Sequence, residues 1–392
     1  MKKNIVLHLF FLFFIETVLS QTTNNGEVYI SPNTDVSFVD DFNNTITGEF
    51  WNNGIVYSYG NWNNNGIVDF SIFNLDYGLI GFVGTEAQII SGDNFNYFYD
   101  TLFDNALGFS LLSNISISNV SDFVFGIVDN KLSKGLFLFE PNAYQVGVSN
   151  DSHVNGQVIK IGDNSFDYPI GNGNYYRSAS VSAPSLSDDA FTGEYFFEDT
   201  NIKYPVNSLG ANLTLVNNAE HWVIEQPTGD SQVFLTLSWS NETTSHEILK
   251  EPLESIHIAR WDDTMQLWVD QGGVQDISNQ SVSALVENYG VFTLATVKQN
   301  AEILFPLFFT PNNDGYHDTW NVNQSENTEI ISIHIFDRYG KLLKQIGLTG
   351  SGWDGTYNGK LLSSSDYWFI AIYKDLKEST IKQFRSHFSL KF

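Results

Sequence analysis

Three oxygen-bearing side chains near the C-terminus are spaced closely enough to bind one metal ion. Asn312, Asp314 and Asp318 lie in one short loop, in which Gly315 permits a sharp turn. Carboxylate and amide oxygens are the hard ligands that Ca²⁺ prefers, although the downstream bidentate Glu of an EF-hand is missing. The alternative is an Asx-rich β-turn whose side chains cap backbone N–H groups. The sequence thus suggests calcium as its one cofactor and leaves the capped turn open.

Catalytic motifs are missing from the chain. It contains no Gly-x-Ser-x-Gly elbow, no Gly-rich phosphate loop and no His-Glu-x-x-His pair, which anchor hydrolase, nucleotide-binding and zinc-protease interpretations. His153, His221, His246 and His257 share no ligand spacing. We therefore predict no catalytic residue and a protein that is not an enzyme.

Acidic residues are numerous enough to supply nominal glycosidase candidates. Such an enzyme needs two carboxylates held several ångströms apart in a cleft. Glu194, Glu198, Asp199, Asp262 and Asp263 qualify by residue type alone. Their spacing favours no pair, and solvated strand edges and turns are the simpler interpretation.

Aromatic residues offer a different way to bind sugars. The apolar faces of sugar rings stack on aromatic side chains. Trp51, Tyr57, Tyr59 and Trp62 follow one another on neighbouring short strands, where they would form a platform for a glycan. Packing of the same four residues in a core is the alternative.

The composition excludes several kinds of site and partner. The chain has 392 residues, no cysteine and a formal net charge of −26. Disulfides and thiolate metal sites are therefore excluded, and the negative charge repels nucleic acids and anionic lipid surfaces. Aromatic enrichment beside 30 Gly predicts strands and tight turns. We expect a mostly β protein with no nucleic-acid partner.

The N-terminus has the pattern of a secretory signal peptide. Two lysines precede an apolar run at residues 5–15 that only His8 interrupts, and Ser20 offers a small residue for cleavage before Gln21. The run is too short to span a bilayer as a permanent helix. We predict a signal peptide at residues 1–20 and a mature chain without a transmembrane segment.

A short internal repeat lies in the region of residues 21–155. The sequence WNNGIV at residues 51–56 recurs as WNNNGIV at residues 62–68, each an apolar strand next to an Asn/Gly turn. One such strand cannot bury its face alone, so near-constant spacing predicts a solenoid-like stack of β-rungs. A meandering sandwich is the alternative interpretation.

Residues 156–300 show the alternation of half-buried antiparallel strands. In residues 233–239, Val, Leu, Leu and Trp fall on one face and Phe, Thr and Ser on the other. Helical periodicity longer than a few turns is missing. We predict a β-sandwich-like domain for this region.

The C-terminal end carries the most specific pattern of the chain. Its blocks are TPNNDGYHDTW at 310–320, IFDRYG at 335–340, GWDG at 352–355, SDYW at 365–368 and HFSLKF at 387–392. In this order they resemble the gliding motility-associated C-terminal domain of Bacteroidetes, the type B sorting signal of the type IX secretion system. The resemblance implies that residues 301–392 form a sorting domain.

The same region alternates like an antiparallel sheet. Ile331, Ile333 and Ile335 alternate with polar residues, and residues 367–373 and 384–390 supply two more alternating strands. We expect a small Ig-like antiparallel β-sandwich that folds independently.

Three positions depart from the family pattern. Ser363 stands where the family usually has Pro, Ser386 stands where it usually has Gly, and Phe392 follows the basic residue Lys391. The Gly-to-Ser change would matter where the backbone needs a positive φ. These departures bear on export efficiency and leave the resemblance in place.

Together the patterns predict a multidomain, mostly β protein that is exported. The resemblance implies that residues 305–392 bind the type IX machinery. It also implies delivery through the periplasm and outer membrane of a Gram-negative bacterium to the cell surface or the medium. We expect a non-enzymatic adhesin or structural surface component. The alternative is a carbohydrate-binding protein, or a lyase or hydrolase, with a glycan as its partner.

Overall fold

The computed structural model shows a mostly β chain, with 53% of residues in strands and 3% in helices. It describes residues 20–72, 78–132, 135–297, 305–313, 317–322, 328–347, 352–376 and 379–391. All of the predicted signal peptide except Ser20 lies outside these residues. No helix in the described ranges is long and apolar enough to cross a membrane.

The N-terminal part of the structure is built from short strands, most of which stack in parallel register. In chain order they are β1 (Gln21–Asn24), β2 (Glu27–Ile30), β3 (Asp35–Phe38), β4 (Asp41–Asn44), β5 (Glu49–Asn52), β6 (Ile55–Ser58), β7 (Trp62–Asn64), β8 (Ile67–Asp69), β9 (Leu79–Phe82), β10 (Gln88–Ser91), β11 (Asn96–Phe98), β12 (Asp100–Asp104), β13 (Phe109–Leu111), β14 (Ile115–Ile117), β15 (Val120–Phe125), β16 (Val128–Asp129), β17 (Phe137–Phe139), β18 (Tyr144–Val146), β19 (Val154–Asn155), β20 (Val158–Ile161), β21 (Phe166–Tyr168), β22 (Ile170–Asn172), β23 (Tyr175–Tyr176) and β24 (Ala179–Val181).

Consecutive strands belong to three different parallel sheets. The first sheet contains β1, β4, β7, β10, β13, β16, β19 and β22; the second contains β2, β5, β8, β11, β14, β17 and β20; the third contains β3, β6, β9, β12, β15 and β18. One pass through the three sheets is one turn of a β-solenoid of about 6 turns. The predicted solenoid is confirmed, and the parallel pairing is incompatible with a meandering sandwich.

Large apolar side chains fill the interior of the solenoid. Side chains alternate between the two faces of a strand, so every second residue points inward. The rings of Phe42 and Trp62 stack with 4.3 Å between their centroids, and Phe50 meets Trp62 edge-on at 5.5 Å. All three side chains are buried. The aromatic enrichment of the sequence therefore supplies the solenoid core.

A ladder of hydrogen-bonded, buried asparagines stabilises one corner of the solenoid. The Asn24 amide donates to the Asn44 side-chain oxygen, and the Asn44 amide donates to that of Asn64, both at 2.9 Å. The chain passes so close to this ladder that a Cβ on Gly66 would lie 2.1 Å from the Gly48 carbonyl oxygen. The Asn/Gly turns of the repeat thus satisfy buried polar groups and allow close approach of successive turns.

Longer antiparallel strands follow the solenoid. In chain order the elements are β25 (Ala190–Phe196), a 3-10 helix (Thr200–Ile202), β26 (Leu213–Val216), β27 (His221–Thr228), β28 (Val233–Ser238), α1 (His246–Lys250), a second 3-10 helix (Leu253–Ser255), β29 (Ile256–Asp262), β30 (Leu267–Asp270), β31 (Val274–Asp276), β32 (Ser281–Val286) and β33 (Gly290–Val297).

These strands extend the solenoid without a break in the core. The second solenoid sheet continues from β20 into the antiparallel strands β25, β27, β33, β29 and β30, and a separate sheet has the order β21, β24, β28, β32, β31. Trp222 and Leu235, from these two sheets, belong to the same buried cluster as the solenoid residue Phe137. The boundary predicted at residues 155 and 156 falls between β19 and β20, which are consecutive strands of one turn.

The C-terminal region has its own sheet and core. Its strands are β34 (Phe308–Phe309), β35 (Thr328–Phe336), β36 (Leu342–Gly347), β37 (Thr356–Tyr357), β38 (Lys360–Leu361), β39 (Ser365–Asp375) and β40 (Thr380–Leu390). The five-stranded sheet has the order β34, β40, β39, β35, β36, and β37 pairs with β38. Trp320, Trp353 and Phe388 are fully buried in a core separate from that of the solenoid.

The strands of this region place Ile331 and Ser386 in well-defined positions. Of the alternating residues Ile331, Ile333 and Ile335, the last two are buried and Ile331 is 39% exposed. A register shift between Ile330 and Ser332 turns Ile330 inward in its place, as a β-bulge does. Ser386 lies within β40 and has no positive φ. Its replacement of Gly therefore places no strain on the backbone.

Candidate functional site

The structure describes part of the loop predicted to bind calcium. Asp318 Oδ1 accepts a hydrogen bond from the backbone N–H of Asn313 at 2.6 Å, and the backbone N–H of Asn312 donates to the Thr310 carbonyl at 2.8 Å. Asp314 lies outside the described residues. Over the described ranges, no group of three or more His, Cys, Asp or Glu side chains is placed to hold a metal ion. This bond is of the kind that the capped-turn alternative predicts, and both the capped turn and calcium binding stay predictions.

Three of the five nominal glycosidase acids support local turns. Asp199 caps the first 3-10 helix. Asp262 accepts two backbone amides of the next turn at 3.0 and 2.9 Å, and Asp263 accepts from the Trp261 indole at 2.9 Å. These bonds explain the three residues as turn formers.

The other two acids belong to a charged cluster on the outer face of β25 and β27. The Lys203 ammonium lies 3.0 Å from Glu198 Oε1, and the His221 Nε2 atom lies 4.0 Å from the same oxygen. Phe196 and His221 are register partners, and their rings stack with 4.9 Å between centroids. Glu194 is on the same face of β25 as Phe196, because the two residues are two positions apart.

The pKa values of the two carboxyl groups in the cluster shift in opposite directions. Burial raises the pKa of Glu194, against the opposing charges of Lys131 and Lys203. Burial alone would raise the pKa of Glu198 too, but the hydrogen bond and charge of Lys203 outweigh it and lower that pKa. The two neighbouring carboxyl groups therefore differ in acidity, with Glu198 the stronger acid. The sequence could not show the whole cluster, because Lys131 comes from a distant segment, although Lys203 is only five residues from Glu198.

A buried ionic network at Glu220 was missed by the sequence analysis. Its carboxylate is fully buried and lies 3.3 Å from Arg177 Nε. The Tyr195 hydroxyl donates to it at 2.7 Å and the Thr244 hydroxyl at 2.5 Å. Arg177 also donates to the Ser238 carbonyl at 2.7 Å. The network joins segments far apart in sequence, and a buried charge with these partners stabilises the fold only while the set is complete.

The aromatic platform predicted from sequence does not form from its four residues. Trp62 is fully buried, and its indole N–H donates to Asn96 at 2.9 Å inside the core. The prediction for Trp62 is wrong because the residue begins β7 and pairs in register with the inward-facing Phe42. Trp51 lies in the second sheet and Tyr57 in the third, so the two do not share a face.

The structure aligns a different set of aromatic residues on the second sheet. Tyr29 pairs with Trp51, and Trp51 pairs with Asp69. Tyr97 continues the column, because its neighbour Asn96 pairs with Val68. Tyr29 and Tyr97 are each 43% exposed, and Trp51 and Asp69 are half-buried. We call these four residues the Tyr29–Tyr97 column.

Comparison with known protein families identifies the C-terminal region. Residues 303–385 match the model of the CHU_C Type IX secretion signal domain. No curated protein and no solved structure matches the chain. The resemblance seen in the sequence is confirmed: the chain carries a type IX sorting domain, and a Bacteroidetes origin is implied. The domain directs export through the outer membrane to the cell surface or the extracellular space.

Proposed function

Because residues 303–385 are a type IX secretion signal domain, we propose that the preceding region is a non-enzymatic component of the cell exterior. It acts as an adhesin or a structural surface element, and the sorting domain contacts the type IX machinery to deliver it. A signal peptide at residues 1–20 provides passage into the periplasm. One observation carries the proposal, namely the repeated parallel register of the solenoid.

Outward-facing side chains of the solenoid are held in straight rows by this register. In the first sheet, the Asn63 amide donates to Asn43 at 2.8 Å, and the Ser91 hydroxyl donates to Asn63 at 3.0 Å. Neighbouring parallel strands lie about 4.8 Å apart, so contact groups recur at that spacing along the solenoid axis. Such a surface suits an extended partner, whereas small substrates are bound in concave pockets.

The proposal includes the architecture of the other two regions. Trp222 and Leu235 come from different antiparallel sheets and share one buried core, which supports a central β-sandwich. The five-stranded C-terminal sheet encloses the buried Trp320 and Trp353 against its inner face, which supports an Ig-like sandwich for the sorting domain. Both regions then act as supports, one for the solenoid and one for export.

A carbohydrate-active enzyme is the second candidate, and the charged cluster on β25 and β27 favours it. Glu194 has a raised pKa and Glu198 a lowered one, which are the properties of a general acid and its partner carboxylate. This candidate predicts cleavage of a polysaccharide that Glu194→Gln abolishes.

One assay of the purified mature chain separates the two candidates. The chain is incubated with a panel of neutral and acidic polysaccharides, and bound protein and newly formed reducing ends are measured in the same samples. The proposal predicts binding or cell attachment without new reducing ends. Cleavage that disappears in Glu194→Gln, but persists in the turn variant Asp263→Asn, would contradict it and establish the enzyme.

A further inference from the structure

The outer face of the second solenoid sheet presents aromatic rings that the core does not use. Within the first four rungs, Val28, Phe50 and Val68 are the register partners that point inward. The Tyr29–Tyr97 column therefore faces away from the core, because adjacent residues of a strand point to opposite faces. Tyr29 and Tyr97 stay well exposed. This exposure leaves ring surface for a ligand.

A second column runs beside the first and widens the surface. Its members precede the first column by two positions, namely Glu27, Glu49, Ile67 and Phe95. The Phe95 ring stacks on Tyr97 with 5.7 Å between centroids and 20° between planes, and Ile67 is 46% exposed. Together the two columns form a flat face that mixes apolar ring surface with carboxylates.

The two glutamates of this face repel each other, and the stability of the fold does not explain why they are placed together. Glu27 and Glu49 are direct register partners and both are exposed. Like charges directly opposite each other on neighbouring strands destabilise a sheet. Asp69 places a third carboxylate on the same face, next to Trp51. Carboxylates beside aromatic rings would accept hydrogen bonds from a ligand rich in hydroxyl groups.

The shape and charge of the face restrict the ligand. Tyr29 and Tyr97 stand three rungs apart, or about 14 Å, so the ligand is an extended chain. Three carboxylates on the face and a net charge of −26 exclude polyanions such as nucleic acids and acidic polysaccharides. Sugar rings have apolar faces for stacking and hydroxyl groups at their edges. A neutral polysaccharide meets all three requirements.

We propose that Tyr29, Trp51, Asp69 and Tyr97 form a binding site for an extended neutral glycan. Sugar rings stack on Trp51 and the two tyrosines, while their hydroxyl groups donate to Asp69 and the glutamates at the side. The inference rests on the proposed function and names its ligand class. It sets the glycan site on the solenoid, away from the charged cluster of Glu194 and Glu198.

The test uses the full mature chain and an array of neutral oligosaccharides, followed by titration of the best ligand with calorimetry as the readout, which does not depend on Trp51. Loss of one stacking ring should weaken binding about tenfold. Trp51→Ala and Tyr97→Ala should each show this loss. Tyr59→Ala is the matched control, because Tyr59 is 44% exposed but lies outside this face. It should bind like the wild type.

Several outcomes would overturn the inference. They are a chain that binds no neutral oligosaccharide, binding that Trp51→Ala and Tyr97→Ala leave unchanged, and self-association that depends on Trp51. Circular dichroism of each variant shows whether lost binding reflects lost structure, and Trp51→Phe should then restore binding in a folded protein. Reducing ends measured in the same titrations report on the proposed non-enzymatic function separately, since binding and cleavage are read independently.

Discussion

The ring of Phe234 packs against the indole of Trp368, with 5.8 Å between their centroids. Phe234 belongs to β28 of the central region and Trp368 to β39 of the sorting domain. Phe336, on the neighbouring strand β35, approaches Phe234 at 6.4 Å. The sorting domain therefore packs against the central region of the same chain through the outer face of its five-stranded sheet.

Arg385 anchors the same contact from β40. Its guanidinium donates to the backbone carbonyls of Leu285 and Gln271 in the central region. Burial lowers the pKa of Arg385, although the nearby carboxylates Glu287 and Asp270 oppose this. A largely buried guanidinium with backbone acceptors ties the two regions together more firmly than a surface ion pair would.

Arg385→Ala should uncouple the sorting domain from the central region. The substitution leaves two carbonyls without a donor, at a cost of about 1–3 kcal/mol. We expect scanning calorimetry to show a separate transition of lower melting temperature for the sorting domain. Phe234→Ala should have the same effect from the other side. Lys344→Ala, which removes an exposed cation of the same sheet, should not. Identical thermograms for all three variants would contradict the docking.

His221 should make the protein less stable in acid. Burial lowers the pKa of His221 to about 4, with Glu198 opposing this and Lys203 and Lys131 adding to it. Between that pKa and the unfolded value near 6.5, the unfolded chain binds more protons. The contribution of His221 is therefore complete above about pH 6.5 and is lost as the pH falls toward 4, by up to about 3 kcal/mol.

Unfolding by urea at several pH values tests this prediction. His221→Phe should lose less stability than the wild type between pH 7 and pH 4, because the variant has no imidazole to protonate. His246→Phe, which replaces an exposed histidine, should follow the wild-type curve. Parallel curves for the wild type and His221→Phe would show that His221 is not the responsible group.

Asn44→Ala should destabilise the solenoid more than Asn43→Ala. The Asn44 amide donates to the carbonyls of Gly48 and Ile67 at 3.2 and 2.9 Å, besides Asn64. Buried groups left without a partner cost about 1–3 kcal/mol each. Asn43 lies on the outer face, where water can replace its bond to Asn63. We expect a clear loss in the free energy of unfolding for Asn44→Ala and a small one for Asn43→Ala. Equal losses would exclude a structural role for the buried ladder.

The two interpretations of the loop of Asn312, Asp314 and Asp318 predict opposite effects of a chelator on the melting temperature. If the loop binds calcium, a chelator should lower the melting temperature of the wild type and leave Asp318→Ala unchanged. If Asp318 only caps the turn, the chelator has no effect and Asp318→Ala costs about 1 kcal/mol. Thermal unfolding of both proteins with and without chelator distinguishes the two interpretations.

The sequence predicted those features that local pattern determines. The repeat of residues 51–56 and 62–68 indicated the solenoid, because a turn must recur for strands to stack. It could not show that Trp62 points inward while Trp51 points outward, since that depends on where each strand begins within its repeat. One residue of difference reverses the face. The bulge between Ile330 and Ser332 likewise changes which isoleucine faces the core, which the alternation of residue types does not show.

Contacts between distant segments could not be predicted from the sequence. Glu220 and Arg177 form a buried pair only because the fold brings together the turn before β27 and the segment between β23 and β24, and neither residue lies in a local motif. The cluster of Glu194 and Glu198 likewise depends on Lys131, which comes from another segment, as well as on the nearby Lys203. The sorting domain was recognisable because its blocks include turns and buried tryptophans that a single small domain holds together, among them the paired Trp320 and Trp353.

Removal of the sorting domain tests the central claim most directly. The full chain and a chain that ends before Phe305 are expressed in the native bacterium, and both are followed by fractionation and surface labelling. The account predicts that the full chain reaches the surface or the medium, whereas the truncated chain accumulates folded in the periplasm. Lys344→Ala, which removes an exposed cation of the sorting domain, serves as a control that retains the signal. Efficient appearance of the truncated chain outside the cell would contradict the account.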